Sequence, residues 1–189
     1  MTTRKTFAAM LTTFGLLAGG NAFGADQGFY IGGSWGQARP DWDTSSGPNT
    51  AQTLDSSDVA WGVQGGYQFN KYLGIEGSYI NLGSYAVSNG NTIEPTGWGI
   101  LLVGTLPIPN SNLSLVGKAG EYRMRQKMDP SGIADNTWSP AFGAGLKYNF
   151  SPNAYGTLDY MRIQNVGSSI TTINENINVY TMGLGYKFY

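Results

Sequence analysis

The last nine residues, TMGLGYKFY at positions 181–189, constrain the fold more than any other segment. Large apolar side chains alternate there with small or polar ones, and this period of two indicates a β-strand with one face in an apolar medium. The bulky face carries Met182, Leu184, Tyr186 and Phe188. A soluble β-sandwich buries its large side chains in the core. In this strand the small and polar face suits a narrow polar interior, so the large side chains would point outward. The segment therefore predicts a barrel strand with lipid outside and a polar lumen.

The first 25 residues have the organisation of a secretory signal peptide. Arg4 and Lys5 form a basic start, an uncharged apolar run follows over 7–20, and small residues follow that run. The run is shorter than the roughly 20 residues of a membrane-spanning helix. Cleavage after Ala22, Gly24 or Ala25 would satisfy the small-residue rule, and we expect it after Ala25 because Asp26 starts a polar segment. This leaves 26–189 as one barrel domain; the alternative is a buried N-terminal helix.

Composition excludes several classes of function. The chain has no Cys and no His, which excludes the usual zinc sites, Cys or His nucleophiles and the Ser-His-Asp triad. We therefore predict no catalytic residues, no metal site and no cofactor. Without the signal peptide, nine basic side chains face twelve acidic ones, and nothing indicates a nucleic-acid surface. Only 12% of residues are charged, yet no segment after position 25 is an apolar helix, which favours a closed membrane barrel.

Alternation along the chain predicts eight strands joined by alternately long and short connections. The predicted strands are 27–38, 58–69, 72–81, 96–106, 112–124, 137–150, 154–163 and 177–189. The predicted long loops are 39–57, 82–95, 125–136 and 164–176. The strand at 96–106 has the weakest signal, because Ile100–Val103 is continuously apolar. The fold class is all-β: an eight-stranded antiparallel up-and-down transmembrane β-barrel, with long loops outside and short turns in the periplasm.

Four tryptophans support a membrane environment. Trp35 comes late in an outgoing strand, and Trp61, Trp98 and Trp138 come early in returning strands, so all four are predicted at one extracellular height on the outer face. Other aromatics fall near the opposite rim. Two aromatic girdles are typical of the two membrane interfaces. A soluble lipocalin-like barrel is the alternative, but it does not explain this shared height.

Several segments together resemble the transmembrane domain of the OmpA-like family. They are GGYQFNKYLGIEGSY at 65–79, LPI at 106–108, SPAFGAGLKY at 139–148 and LDY at 158–160. Thr181, Gly183, Tyr186 and Phe188 also match the C-terminal signal of bacterial outer-membrane barrels, with Tyr189 as one extra residue.

The resemblance implies the outer membrane of a Gram-negative bacterium, contact with its lipid, and recognition of Gly183, Tyr186 and Phe188 by the barrel-assembly machinery. Because the chain ends at this signal, we expect neither the peptidoglycan-binding domain of longer members nor its anchoring role.

Four charged residues are predicted to point into the barrel: Glu76, Lys118, Lys147 and Asp159. Buried charges require partners, so the two acids and two bases are expected to pair. OmpA-like barrels carry a similar interior network, with Glu76 at a matching position, whereas Val103, Lys147 and Thr157 depart from that pattern. Two interpretations stay open: the charges fill the barrel, or they line a narrow pore whose ion flow depends on their rearrangement.

The outer loops supply the remaining candidate surface. Arg123, Arg125 and Lys127 alternate at the outer rim, where they would suit lipopolysaccharide phosphates or remain simply solvated. Asp41, Asp43 and Asp55 lack the spacing of a calcium loop.

The sequence thus favours a structural outer-membrane barrel with weak porin-like activity toward small solutes or ions. The alternative is an adhesin or receptor-binding barrel, similar to OmpX-type proteins, that binds a host or surface receptor through its loops. An enzyme acting on lipid is the least favoured, since only Asp or Glu would be available for proton transfer.

Overall fold

The computed structural model describes residues 27–41, 58–83, 85–87, 91–129, 133–166 and 176–188. These residues form nine β-strands and no helix, so the described chain holds no helix suited to crossing a membrane. The strands are β1 Gly28–Asp41, β2 Asp58–Gln68, β3 Leu73–Asn81, β4 Tyr85–Val87, β5 Asn91–Pro107, β6 Leu113–Asp129, β7 Ile133–Asn149, β8 Ala154–Ile163 and β9 Asn176–Phe188. The predicted signal peptide and the loop residues Asp43 and Asp55 lie outside the described residues.

Eight of the strands close into one antiparallel barrel. The hydrogen-bonded order is β3-β2-β1-β9-β8-β7-β6-β5, and β3 pairs with β5 to complete the ring. The first and last strands join along a long seam, from Phe29 opposite Phe188 to Asp41 opposite Asn176. Each barrel strand therefore pairs with its sequence neighbours, and the predicted eight-stranded up-and-down barrel is confirmed.

The strand boundaries agree with the sequence prediction at the short turns and differ at the long loops. β5 begins at Asn91, five residues before the predicted start, and the short strand β4 pairs with its first residues outside the barrel wall. The predicted loop 125–136 is wrong, because β6 continues to Asp129 and β7 resumes at Ile133. Polar composition suggested a loop there, whereas the two strands extend their ladder of backbone hydrogen bonds beyond the barrel wall.

The short turns lie together at one end of the barrel and are built by local side-chain hydrogen bonds. The Asn70 carboxamide oxygen accepts the backbone N–H groups of Tyr72 and Leu73 at 2.8 and 2.9 Å. Ser111 and Ser151 hydroxyls likewise accept from Leu113 and Ala154. Such turns are favoured by Asn and Ser because their side chains satisfy backbone donors that no strand partner reaches.

Strand alternation separates the two faces of the barrel wall. In the continuous run 100–103, Ile100 is exposed on the outer face while Leu101 and Val103 are buried inside. The apolar run is thus an ordinary strand whose inner face is also apolar. Val103 lines the narrow part of the lumen near Glu76 and Lys118. Leu101 belongs to a cluster that fills the long-loop half of the lumen: Ala38, Ala60, Ile80, Leu82, Leu101, Tyr122, Met124, Ala141, Ile163, Val166, Ile177 and Val179.

Candidate functional site in the barrel lumen

Three charged side chains meet inside the barrel, below the apolar cluster. The Lys118 ammonium lies 3.0 Å from Oε1 and 3.4 Å from Oε2 of Glu76, and its Nζ lies 3.7 Å from Oδ1 of Asp159. The Tyr30 hydroxyl donates a 3.1 Å hydrogen bond to Glu76 Oε2. All three charged side chains are largely buried, at 12%, 5% and 11% exposure for Lys118, Glu76 and Asp159. We call Glu76, Lys118 and Asp159 the lumen triad.

The triad spans the lumen, because its members stand on strands that are not neighbours. Glu76 lies on β3, Lys118 on β6 and Asp159 on β8. On β7, Gly143 and Gly145 stand opposite Lys118 and Asp159 respectively. A Cβ on Gly145 would lie 2.7 Å from Asp159 Oδ1, so the missing side chain leaves room for this carboxylate.

Lys147 does not take part in this pairing. Among the described residues it forms no salt bridge, and its Nζ lies 4.4 Å from the centroid of the Tyr155 ring. The expectation that two acids and two bases pair off is therefore wrong for Lys147. Both carboxylates contact Lys118 instead, because Lys147 lies further toward the short-turn end, two residues beyond the position opposite Asp159.

The lumen changes in character along its length. At the short-turn end, a cavity of about 640 Å³ opens to solvent at that mouth of the barrel. Around the triad only about 30 Å³ remains, a small fraction of the cavity at the short-turn end. In the long-loop half, Leu101 and Val179 are almost fully buried within the apolar cluster. The described side chains thus close the lumen above the triad.

The sequence prediction missed two parts of this interior. Tyr122 on β6 and Ser78 on β3 share a 2.6 Å hydrogen bond between their hydroxyl oxygens, which crosses the intervening strand β5 on the inner face. Met124, almost fully buried, lies two residues further along β6 in the apolar cluster. The apolar residues at inward positions in the long-loop half of the strands indicate this cluster in the sequence. The prediction considered only the charged and polar inward residues.

Comparison with known proteins identifies the family. A family model described as outer membrane protein beta-barrel domain matches residues 6–188. The chain belongs to this family. Outer membrane protein A of Shigella flexneri is 28% identical over 173 residues, which cover 86% of the chain and 49% of that protein. The chain therefore spans about half the length of this curated relative, and the predicted OmpA-like resemblance is confirmed.

Solved structures of outer-membrane barrels share the fold. Neisserial surface protein A matches with a TM-score of 0.66 at 17% identity, covering 87% of this chain and all of that one. Ail, the attachment invasion locus protein of Yersinia pestis, matches with a TM-score of 0.58 at 20% identity, again over 87% of this chain. At these identities the likeness concerns the fold. In an outer-membrane barrel the short turns face the periplasm and the long loops face outward.

The four tryptophans lie on the outer face at one level of the barrel. Trp35 stands directly opposite Trp61, and Arg123 stands between Trp98 and Trp138, whose rings are 5.6 Å apart. All four indole rings are between 44% and 54% exposed. Large aromatic side chains also ring the periplasmic end of the outer face: Phe29, Phe69, Tyr148, Phe150, Tyr186 and Phe188. This distribution places the apolar band between two rings of aromatic side chains, as lipid requires.

The residues of the C-terminal pattern divide between the two faces. Tyr186 and Phe188 point outward, with ring centroids 5.0 Å apart. Gly183 is buried, and a Cβ there would lie 2.9 Å from the Gly33 carbonyl oxygen and from Thr157 Oγ1. The glycine is thus required by close packing inside the wall, whereas the two aromatic rings are accessible from outside.

Arg123 and Arg125 project from the outer face at and above the tryptophan level, and both are exposed. The side chain of Lys127 lies outside the described ones. No group of three or more acidic side chains in the described residues is arranged to hold a metal ion.

Proposed function

We propose that the protein is a structural barrel of the outer membrane whose lumen is closed at rest, rather than a standing pore. The observation that carries this proposal is the apolar cluster in the extracellular half of the lumen. All eight barrel strands contribute members to it, and two further members follow β3 and β8. The cluster therefore packs the strands against one another across the lumen. Burial of apolar side chains at about 25 cal/mol per Å² favours the closed arrangement.

Weak pore activity would require this cluster and the lumen triad to move together. An ion passing the triad meets side chains around a cavity of only about 30 Å³, and then Leu101, Tyr122 and Met124. A hydrated ion is wider than such a passage, and a bare ion in a dry apolar segment has a prohibitive free energy.

Single-channel recording in a planar bilayer tests the closed lumen. We expect the refolded wild type to be silent, and Leu101→Ala with Met124→Ala to produce openings, since both changes remove side chains from the lumen. Ile100→Ala is the matched control, because Ile100 lies next to Leu101 but faces outward. Sustained wild-type openings equal to those of the double variant would contradict the proposal.

Lipopolysaccharide is the partner that we propose for the outer face. Arg123 lies between two tryptophans, and Arg125 lies one step further out on the same face. Guanidinium groups form strong bidentate hydrogen bonds with phosphate. If the double variant Arg123→Gln and Arg125→Gln retains lipopolysaccharide as the wild type does, the proposal of this partner is wrong.

A second candidate, receptor binding or adhesion, is favoured by the β6–β7 hairpin. From Arg123 at the tryptophan level, β6 continues for six residues to Asp129, which is about 20 Å along the strand. A hairpin that extends so far beyond the membrane interface offers edges and side chains to a partner. The candidates separate when 126–135 is replaced by a tight turn: loss of cell binding by a correctly folded variant supports the adhesin.

Phe188 is proposed as a recognition residue for the barrel-assembly machinery. We expect Phe188→Ala to slow the appearance of folded, heat-modifiable barrel in cells, because the accessible ring would no longer mark the terminal strand. Phe29→Ala is the matched control: Phe29 lies directly opposite Phe188, and its ring is also exposed on the outer face. Equal slowing by both variants would show that Phe188 acts only as part of the aromatic ring, and refolding into pure lipid vesicles should not distinguish them.

A further inference from the structure

The periplasmic mouth of the barrel contains a pocket that the proposed structural role does not use. Its volume is about 640 Å³, within the range of small-molecule sites, and it is bounded by strand ends and short turns. The narrow cavity around the triad adjoins it and shares Gln68, Thr105 and Lys147 with it. Because the described residues of the apolar cluster close the lumen beyond, the pocket opens at the short-turn end, toward the periplasm. We call it the periplasmic vestibule.

Positive charge converges on the vestibule from three parts of the chain. Lys71 comes from the β2–β3 turn, Lys147 from β7 and Lys187 from β9. No Asp or Glu occurs among the described residues that line it. The nearest interior carboxylates, Glu76 and Asp159, are already in contact with Lys118.

Lys147 is the most constrained of these lysines. It stands on the inner face of β7, and its ammonium is held over the Tyr155 ring with no salt bridge to any described acid. Transfer of an ammonium group from water into a partly buried site has a desolvation penalty, and a cation–π contact offsets only part of that penalty. An anion in the vestibule would supply the missing counter-charge.

Neutral hydrogen-bond donors surround the same space. The Thr105 and Ser114 side chains are 7% and 5% exposed and line the vestibule. Ser114 stands directly opposite Lys147 across the β6–β7 ladder, so its hydroxyl and the ammonium lie on one wall. Ammonium groups together with hydroxyl donors form the set that binds tetrahedral oxyanions.

We propose that the periplasmic vestibule binds a phosphate-bearing anion through Lys71, Lys147 and Lys187. A phosphate monoester carries a charge of about −1.5 to −2 at neutral pH and three acceptor oxygens, which match several ammonium groups better than one carboxylate does. The vestibule is larger than a phosphate group, so it has space for the group to which the phosphate is attached. The anion has two chemical sources: a soluble phosphate monoester of the periplasm, or the phosphodiester of a phospholipid headgroup in the periplasmic leaflet, whose phosphate carries a single negative charge on two free oxygens.

Amide chemical shifts of the refolded full chain in phosphate-free dodecyl maltoside micelles test the site. Inorganic phosphate should shift the Thr105, Ser114 and Lys147 signals saturably, while chloride at equal ionic strength should not. Lys147→Gln and Lys187→Gln should each weaken binding at least about tenfold, because each removes one charge-assisted hydrogen bond. In a second arm, phosphatidylglycerol replaces free phosphate in the micelles, and shifts in that arm alone assign the site to the lipid headgroup.

Arg39→Gln is the matched control, since it removes one positive charge from the exposed long-loop end of β1, opposite Asn178 and far from the vestibule. It should bind phosphate as the wild type does. Absence of saturable shifts in both arms overturns the proposal, as does equal weakening by the Arg39 variant, which would indicate unspecific attraction. Should Lys147→Gln fail to fold, the Lys187→Gln variant decides the same question.

Discussion

Lys118→Met will lower the free energy of unfolding by about 3–5 kcal/mol, the usual effect of removing one partner from a buried ionic group. The change leaves the Glu76 and Asp159 carboxylates inside the barrel without the ammonium that lies 3.0 and 3.7 Å from them. Tyr30 still donates to Glu76, but one neutral hydroxyl does not balance two negative charges. Urea unfolding in lipid vesicles, followed by tryptophan fluorescence, measures the loss.

Two further variants separate the loss of a counter-ion from the loss of a lysine. The triple change Lys118→Met, Glu76→Gln and Asp159→Asn removes every charge of the triad, and should recover most of the lost stability because no unpaired charge stays buried. Lys147→Met removes an inward lysine that has no described salt bridge, and should cost little. If Lys147→Met is as destabilising as Lys118→Met, the triad is not the basis of the effect.

The sequence predicted the barrel because its wall obeys a local rule. Each strand alternates between lipid and lumen, so a period of two locates the strands, and the position of a Trp within its strand locates the girdle. Trp35 opposite Trp61 follows directly from this rule. Membership of the lumen was also predictable for Glu76, Lys118, Lys147 and Asp159, because facing depends only on counting residues along one strand.

Partnership inside the lumen was not predictable in the same way. Glu76 and Lys118 stand on β3 and β6, which are separated by β5, so their contact depends on the stagger and tilt of the strands. Gly145 stands opposite Asp159, whereas Lys147 stands opposite Thr157. A shift of two residues between β7 and β8 would therefore place Lys147 opposite Asp159. The β6–β7 extension was missed for another reason: polar residues beyond the membrane remain compatible with a ladder whose hydrogen bonds lie in the backbone.

The second large effect is expected at Gly120, where Gly120→Leu should prevent the barrel from closing. Gly120 faces the lumen between Leu101 on β5 and Ala141 on β7, inside the apolar cluster. A Cβ at this position would lie 2.8 Å from the Leu101 Cα and would also meet the Ile100 carbonyl group. These are backbone atoms of the adjacent strand, so they cannot rotate away as a side chain does. Relief requires separation of β5 from β6, which breaks the hydrogen-bonded ladder.

The same strand provides the matched control at Gly117. It faces lipid, and no atom lies within 4 Å of a Cβ built there. Gly117→Leu should therefore fold as well as the wild type, or better, because it adds an apolar side chain to the lipid face and removes backbone freedom from the unfolded chain. The heat-dependent gel shift after refolding reports the folded fraction of each variant.

A graded series distinguishes crowding from a general dislike of bulk in β6. Gly120→Ala should already cost about 1–3 kcal/mol, the usual range for overpacking, and Gly120→Leu should yield little folded protein. Gly117→Ala should cost nothing. Folded Gly120→Leu at wild-type levels would mean that the inner wall yields at this point. The apolar cluster would then be loose enough to open, and the closed lumen would lose its main support.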